Sequence, residues 1–316
     1  MTQETQTNLP DIMAALDARL DDLFTLCNGR TVVLWGCGYS GRCLASMFRR
    51  RGKRIDMRID TNGRIHGVER PTILPRLNPE RHMILLTFPP EEEVVQRLEQ
   101  QGFRRGESYV PVVEFFYGPD DVRFLSSYDW IEHHAPVDIR KAENDANADI
   151  KEFLPYQKSI EYAFWDVFDN FVFHEGDRIF DYGCGKGSAL ILFEHIGVRW
   201  GGIEYDETLY DCCCRNLAAL GLSSETVVRG DAGAFEDIDA YNYFYCYNAF
   251  QGETFRRAVH QMEASWQRRP RKITFIYSNP FCHETVLEDG VFHWTETIPA
   301  EFYIPEVHVY QTKASR

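Results

Sequence analysis

The sequence predicts an α/β protein built in two similar halves, each a parallel sheet entered through a glycine-rich turn. Three observations predict it. Apolar runs of strand length alternate with helical periodicity in two separate stretches, one before and one after a polar region that begins at Gly118. In each stretch the first strand runs straight into closely spaced glycines, "GCGYSG" at 36–41 and "DYGCGKG" at 181–187. The second stretch then ends in "VFHWTETI" and "EVHVYQTK", two strands with no helix between them, as in an antiparallel hairpin.

With 316 residues, 44% of them apolar, the chain is long enough for two such cores. A net charge of -14 excludes a broad nucleic-acid interface, which needs a basic face to displace counterions. The start, "MTQETQTNLPDIMAAL", has neither the basic nor the apolar region of a secretory signal, and no 18 apolar residues run together. A cytoplasmic protein with no membrane span is expected. The nine cysteines contain no C-x-x-C pair, and Cys212, Cys213 and Cys214 point to different sides of a helix, so free thiols and no metal site are expected. Cys213 shares a helical face with Leu209, Leu217 and Leu220 and is expected in the core.

In order, the pattern predicts a helix over 9–28 stopped by Gly29, a strand at 31–36, a helix ending before Gly52, and a strand at 54–60. A third strand (82–88), a helix from Pro90 with acids in its first turn, and a fourth strand, "SYVPVVEFF", complete the first half. From Gly118 to about Gly176 the alternation breaks into a connector and one helix, "PYQKSIEYAFWDVFDNF". Strand and helix then alternate again: "DRIFDYG", helix 187–196, "RWGGIEY", helix 206–220, "TVVRGD", "YNYFYCYN", helix 252–268 and "KITFIYSN".

A glycine turn between strand and helix lets backbone amides approach a ligand, and an acid ending the next strand can hold ribose hydroxyls. Gly183, Gly185 and Gly187 supply the turn and Glu204 the acid, a spacing that suits a nicotinamide or an adenosylmethionine cofactor. Three features favour the second. Asp181 precedes the glycines where a carboxylate can meet a cationic ligand, the third strand ends in "GDA", and the fourth ends in "YNAF".

With these motifs in this order, residues 177–313 resemble the class I S-adenosyl-L-methionine-dependent methyltransferases, whose seven-stranded sheet ends in such a hairpin. The resemblance implies that Asp181, Gly183 and Gly185 line the methionine end of the cofactor, that Glu204 holds the ribose, and that Asp231 and Ala232 meet the adenine. "FDYGCGKGSALI" with the upstream "LPYQKS" is similar to the branch that contains the non-SET histone-lysine methyltransferases and small bacterial relatives. There a tyrosine ahead of the domain closes over the cofactor, which implies that role for Tyr156. That branch carries Asn-Pro-Phe or Asn-x-Phe after the fourth strand. Here the residues are Asn248, Ala249 and Phe250, and the acceptor atom, an O–H or an N–H, stays open. An amide at that tip can accept a hydrogen bond from the acceptor and aim its lone pair, with Phe250 and Tyr245 as aromatic walls. Alternatively, Asn248 only caps the helix near Gly252. His133, His134, His283 and His293 are candidate bases, and nothing selects one of them.

Gly36, Gly38 and Gly41 form G-x-G-x-x-G directly after a strand, with Asp60 ending the next. Residues 30–117 resemble a small Rossmann-like domain found beside bacterial sugar-modifying enzymes, which implies a second nucleotide or nucleotide-sugar pocket. A domain that keeps the fold and binds nothing is the other reading. The expected organisation is an N-terminal helix (1–29), a Rossmann-like nucleotide-binding-type domain (30–118), a connector (119–155) and a methyltransferase domain (156–316). The expected activity is methylation of a small molecule, first a nucleotide sugar or surface-polysaccharide precursor. A protein lysine-type N-methyltransferase and a non-catalytic nucleotide-sensing or scaffold protein are the alternatives.

Overall fold

The computed structural model describes residues 8–62, 67–141, 154–299 and 306–313. The chain divides into two compact units, one of residues 11–133 and one of residues 1–10 with 134–316. No helix among the described residues is long and apolar enough to cross a membrane.

The smaller unit holds α1 (Leu9–Cys27), β1 (Thr31–Trp35), α2 (Tyr39–Arg50), β2 (Met57–Ile59), β3 (His82–Leu86), α3 (Glu92–Gln100), β4 (Tyr109–Pro111), α4 (Val112–Tyr117) and α5 (Ser127–His134). Its four strands are parallel in the order β2-β1-β3-β4. Strands β1 and β3 read as unbroken apolar runs because four of five residues in each are buried. The predicted fourth strand is cut short. Pro111 has no N–H to continue the ladder and serves as N-cap of α4, so "VVEFFY" is helical. Helix α5 was not expected inside the connector, yet Tyr128, Trp130 and Ile131 are buried and the Trp130 indole donates to the Ile12 carbonyl at 2.9 Å.

The larger unit holds α6 (Glu161–Phe168), β5 (Arg178–Tyr182), α7 (Ser188–Ile196), β6 (Arg199–Glu204), α8 (Glu207–Ala219), β7 (Val227–Arg229) and β8 (Tyr243–Tyr247). It continues with α9 (Gly252–Arg268), β9 (Thr274–Ser278), α10 (His283–Leu287), β10 (Phe292–Ile298) and β11 (Val307–Thr312). Seven strands lie in the order β10-β11-β9-β8-β5-β6-β7, with β11 antiparallel to both neighbours. This is the sheet of the class I methyltransferase fold, and the closing hairpin stands where the sequence placed it. One face packs Phe244, Phe275 and Tyr310 against Phe255, Val259 and Met262 of α9.

The helix expected over 155–171 is shorter. Residues 154–160 run without helix because their polar groups bond to other elements: Leu154 N–H to the Ala249 carbonyl at 3.0 Å and Ser159 N–H to the Ser188 hydroxyl at 3.2 Å. Much of the predicted connector, residues 142–153, lies outside the described residues. All nine cysteines are free, and Cys213 is fully buried, as its helical face required.

Candidate active site

Strand order fixes where a ligand can sit. From β5 the chain lays β6 and β7 to one side, then returns to lay β8 and β9 on the other, so a crevice opens beyond the C-terminal ends of β5 and β8. The cleft there is walled by residues of 154–159, of the turn after β5, of the end of β6, by Gly230 and Ala232 after β7, and by Tyr245, Tyr247, Ala249 and Phe250.

Two glycines of the turn are required by close approach. Gly183 has φ 79°, and a Cβ there would stand 2.2 Å from the Ala249 Cβ. Gly185 has φ 55°, and its Cβ would stand 2.5 Å from the Tyr156 ring. Gly187 caps α7 in left-handed conformation, above the Cys213 sulfur, and does not line the cleft.

Glu204 closes the turn from β6. One carboxylate oxygen accepts from Gly185 N–H and the other from Asp206 N–H, both at 2.8 Å. Asp206 in turn caps α8 by accepting from Leu209 N–H at 3.0 Å, which fixes the strand end that carries Glu204. Asp181 is 3% exposed and Glu204 8%. Burial, and then the Glu204 charge, hold the Asp181 carboxyl well above the usual carboxylate range. Burial also raises Glu204, opposed by its backbone donors. Among the described residues no basic side chain counters either acid. The nearby cation, Lys186, is fully buried and engaged elsewhere, donating to Asp138 at 3.0 Å and to the Lys141 carbonyl at 2.7 Å.

Asn216 pins the 138–141 strap by donating to the carbonyls of Asp138 and Lys186, at 2.9 and 3.0 Å, and accepting from Asp138 N–H at 2.9 Å. The Tyr156 hydroxyl donates to the Ile139 carbonyl at 2.8 Å, which holds its ring against Gly185. Ser159 bonds to the Tyr245 hydroxyl at 3.2 Å. Lys186, Asn216 and Ser159 were not singled out from the sequence. A lysine between the glycines and the apolar run "SALILF" was the available signal.

Ala232 lines the cleft, whereas both oxygens of Asp231 are engaged at 2.8 Å, one with Gly233 N–H and one with Arg257. Asn248 stands at the tip of β8 with φ 42°, between the cleft residues Tyr247 and Ala249 but not itself in the cleft wall, and its side-chain oxygen is buried without a hydrogen-bond partner among the described residues. It does not cap α9, because Gln251 occupies that position. Phe250 is buried in the cleft wall, edge-on to Tyr182 at 6.3 Å between ring centroids. None of the four candidate histidines lines the cleft. His283 instead bonds to the Tyr310 hydroxyl at 2.7 Å and to His308 at 3.0 Å, His293 to its neighbour's carbonyl at 3.0 Å, and His133 packs edge-on to Tyr117.

The turn of the smaller unit is built differently. A Cβ on Gly36 (φ 104°) would meet the Thr87 hydroxyl at 2.5 Å, and one on Gly41 would meet the Gly36 carbonyl at 2.0 Å, while Gly38 faces open space. Asp60 spends both oxygens on the turn, accepting from Cys37 N–H at 2.6 Å and Asn62 N–H at 2.7 Å. Packing and backbone bonds therefore account for Gly36, Gly41 and Asp60. Asp60→Ala is expected to cost on the order of 1–2 kcal/mol of stability, chiefly by orphaning the part-buried Cys37 amide, read as a lower midpoint in urea at unchanged slope.

No family model and no curated protein matches this chain. Among solved structures it resembles a complex of MtNAS with MTA and tNA at 16% identity, over 45% of this chain and 55% of that one, with a TM-score of 0.36. It also resembles the mitomycin 7-O-methyltransferase MmcR at 13% identity, over 48% and 53%, with a TM-score of 0.38. A TehB-like SAM-dependent methyltransferase from Corynebacterium glutamicum is similar at 14% identity, over 45% and 82%, with a TM-score of 0.35. The chain spans little more than half the length of the first two of these. At such distances the chemistry of the site rests on its own residues.

Proposed function

We propose that the larger unit binds S-adenosylmethionine in the cleft over Asp181 and Glu204 and transfers its methyl group to an O–H or N–H of a small molecule. The observation that carries this reading is the pair of buried carboxylates beside a glycine turn, with no basic partner among the described residues. A ligand that brings a cation and hydroxyl donors relieves both acids. A dinucleotide would instead bring its pyrophosphate toward two acids and no cation, which argues against nicotinamide chemistry here. The cofactor supplies an activated methyl group on sulfonium sulfur.

The protein's share is then to bind, orient and dry the site. Asp181 takes the ammonium end, Glu204 the ribose hydroxyls through its remaining lone pairs, and Ala232 leaves room for the adenine beside Gly230. Tyr156, braced on Ile139, covers the turn. In this reading the unpaired Asn248 oxygen accepts from the acceptor's O–H or N–H, and the buried walls of Tyr245 and Phe250 exclude water. Gly187 and Asp231 support the turn and the strand end instead of touching the ligand.

Because a cation favours the ionised acids, cofactor binding is expected to release protons below the raised Asp181 and Glu204 values and to tighten as pH rises through them. Calorimetry in buffers of differing ionisation enthalpy checks this; heats independent of buffer from acid to neutral pH would contradict it. The resemblance of residues 30–117 supports a nucleotide sugar or polysaccharide precursor as first acceptor. Transfer of label from methyl-labelled cofactor to a nucleotide-sugar panel is the test. Label appearing only in a protein fraction would overturn the small-molecule acceptor in favour of a protein methyltransferase.

A further inference from the structure

Helix α9 carries His260 and Glu263 three residues apart, on one face, and Asp289 after α10 meets them there. One ligand atom of each lies within 4.8 Å of the other two. His260 Nε2 is 3.4 Å from an Asp289 carboxylate oxygen. Zinc bonds of about 2.0–2.1 Å to nitrogen and oxygen in a tetrahedron separate ligand atoms by roughly 3.3 Å, so this pair already has the length of a coordination edge.

The most enclosed of the three is an acid facing an acid. Glu263 is 5% exposed, and the polar group it meets is the Asp289 carboxyl, with which it shares a hydrogen bond. One turn earlier the same seam is balanced, with Arg256 at 3.0 Å from Glu288 and 3.3 Å from Glu253. At 260, 263 and 289 an imidazole and two carboxyl groups meet, and among the described residues no lysine or arginine offsets Glu263. A divalent cation can take the place of the proton the two carboxyls share, and an imidazole with two carboxylates is a donor set that zinc accepts.

We propose that His260, Glu263 and Asp289 form a zinc-type divalent-cation site that clips α9 to the segment following α10. Those two helices follow β8 and β9, so the clip braces the chain leaving the Asn248 corner while taking no part in the cleft. Water completes the fourth position.

The test uses the full chain, stripped with a chelator and titrated with zinc chloride by calorimetry, with thermal unfolding in parallel. The expected result is one equivalent bound at micromolar affinity or tighter, with a zinc-dependent rise in Tm. His260→Ala and Glu263→Gln should each lose that equivalent and the Tm response, while Cys282→Ser, which removes a partly exposed thiol, keeps both. His260 is half exposed and Glu263→Gln removes a buried charge without changing shape, so both variants are expected to fold, checked by circular dichroism. Equal zinc stoichiometry in the wild type and both variants would overturn the site, as would wild-type binding only at millimolar zinc.

Discussion

Asp181→Asn is expected to give a protein that is more stable without cofactor and nearly unable to bind it. The wild-type carboxyl is buried and its ionised form is disfavoured, first by desolvation and then by Glu204. The sign follows from linkage. A folded-state pKa raised above the unfolded one stabilises the fold fully below the ordinary carboxylate range, and this contribution is lost as pH rises through the raised value. The asparagine has no charge to desolvate, so its advantage should grow with pH, reaching on the order of 1–3 kcal/mol once the wild-type acid is ionised. Removing one partner of a buried charge pair costs roughly 2–5 kcal/mol of binding, so S-adenosylmethionine affinity should fall by about 100-fold. Urea unfolding at two pH values and calorimetry check the two halves. Loss of binding together with loss of stability would mean that Asp181 holds the fold and not the ligand.

Gly183→Ala is expected to destabilise the larger unit and abolish binding, for a steric reason that can be isolated. The new methyl would stand 2.2 Å from the Ala249 Cβ, with the backbone held at φ 79° by the Gly183 and Cys184 N–H bonds to the Ile203 carbonyl, at 2.9 and 3.0 Å. Left-handed strain costs about 1–2 kcal/mol and the overlap about 1–3 more. Gly197→Ala supplies the control: φ is 82° but nothing lies within 4 Å, so only strain is expected and binding should persist. Adding Ala249→Gly to Gly183→Ala removes the obstructing atom and should restore most of the lost stability, leaving the strain. A double-mutant cycle without coupling would remove the contact between the turn and the β8 corner from the account.

What was legible in the sequence was whatever depends on local pattern. Buried strands such as "TVVLW" and "HMILL", the glycine turns, and the helix-free hairpin at the end all follow from periodicity and turn residues. The expected limits of α8 and α9 also lie within a residue of those observed. The misreadings lie where a proline or a long-range partner overrides local composition. "VPVVEFF" has strand composition, but Pro111 breaks the ladder and the following residues wind into α4. Residues 155–160 look like the start of a helix, but the amides of Leu154 and Ser159 are taken by Ala249 and Ser188, far along the chain. In the candidate site, Asp181 and Glu204 were visible because turn and strand end fix their place. The strap from Asp138 to Lys141 and the fully buried Lys186 that anchors it were not, since no local rule predicts a pairing across 48 residues. Nor does the shared glycine spacing reveal that Asp60 spends both oxygens on its own turn while Asp181 spends none on a basic partner.

The assignment of the cofactor to the turn at 181–187 is tested most directly by titrating the full chain, side by side, with S-adenosylmethionine and with reduced nicotinamide dinucleotide in a calorimeter. One equivalent of S-adenosylmethionine should bind, with no heat from the dinucleotide, and Gly183→Ala should erase the signal while Gly38→Ala, at a glycine facing open space, leaves it intact. Dinucleotide binding without any S-adenosylmethionine heat would contradict the assignment.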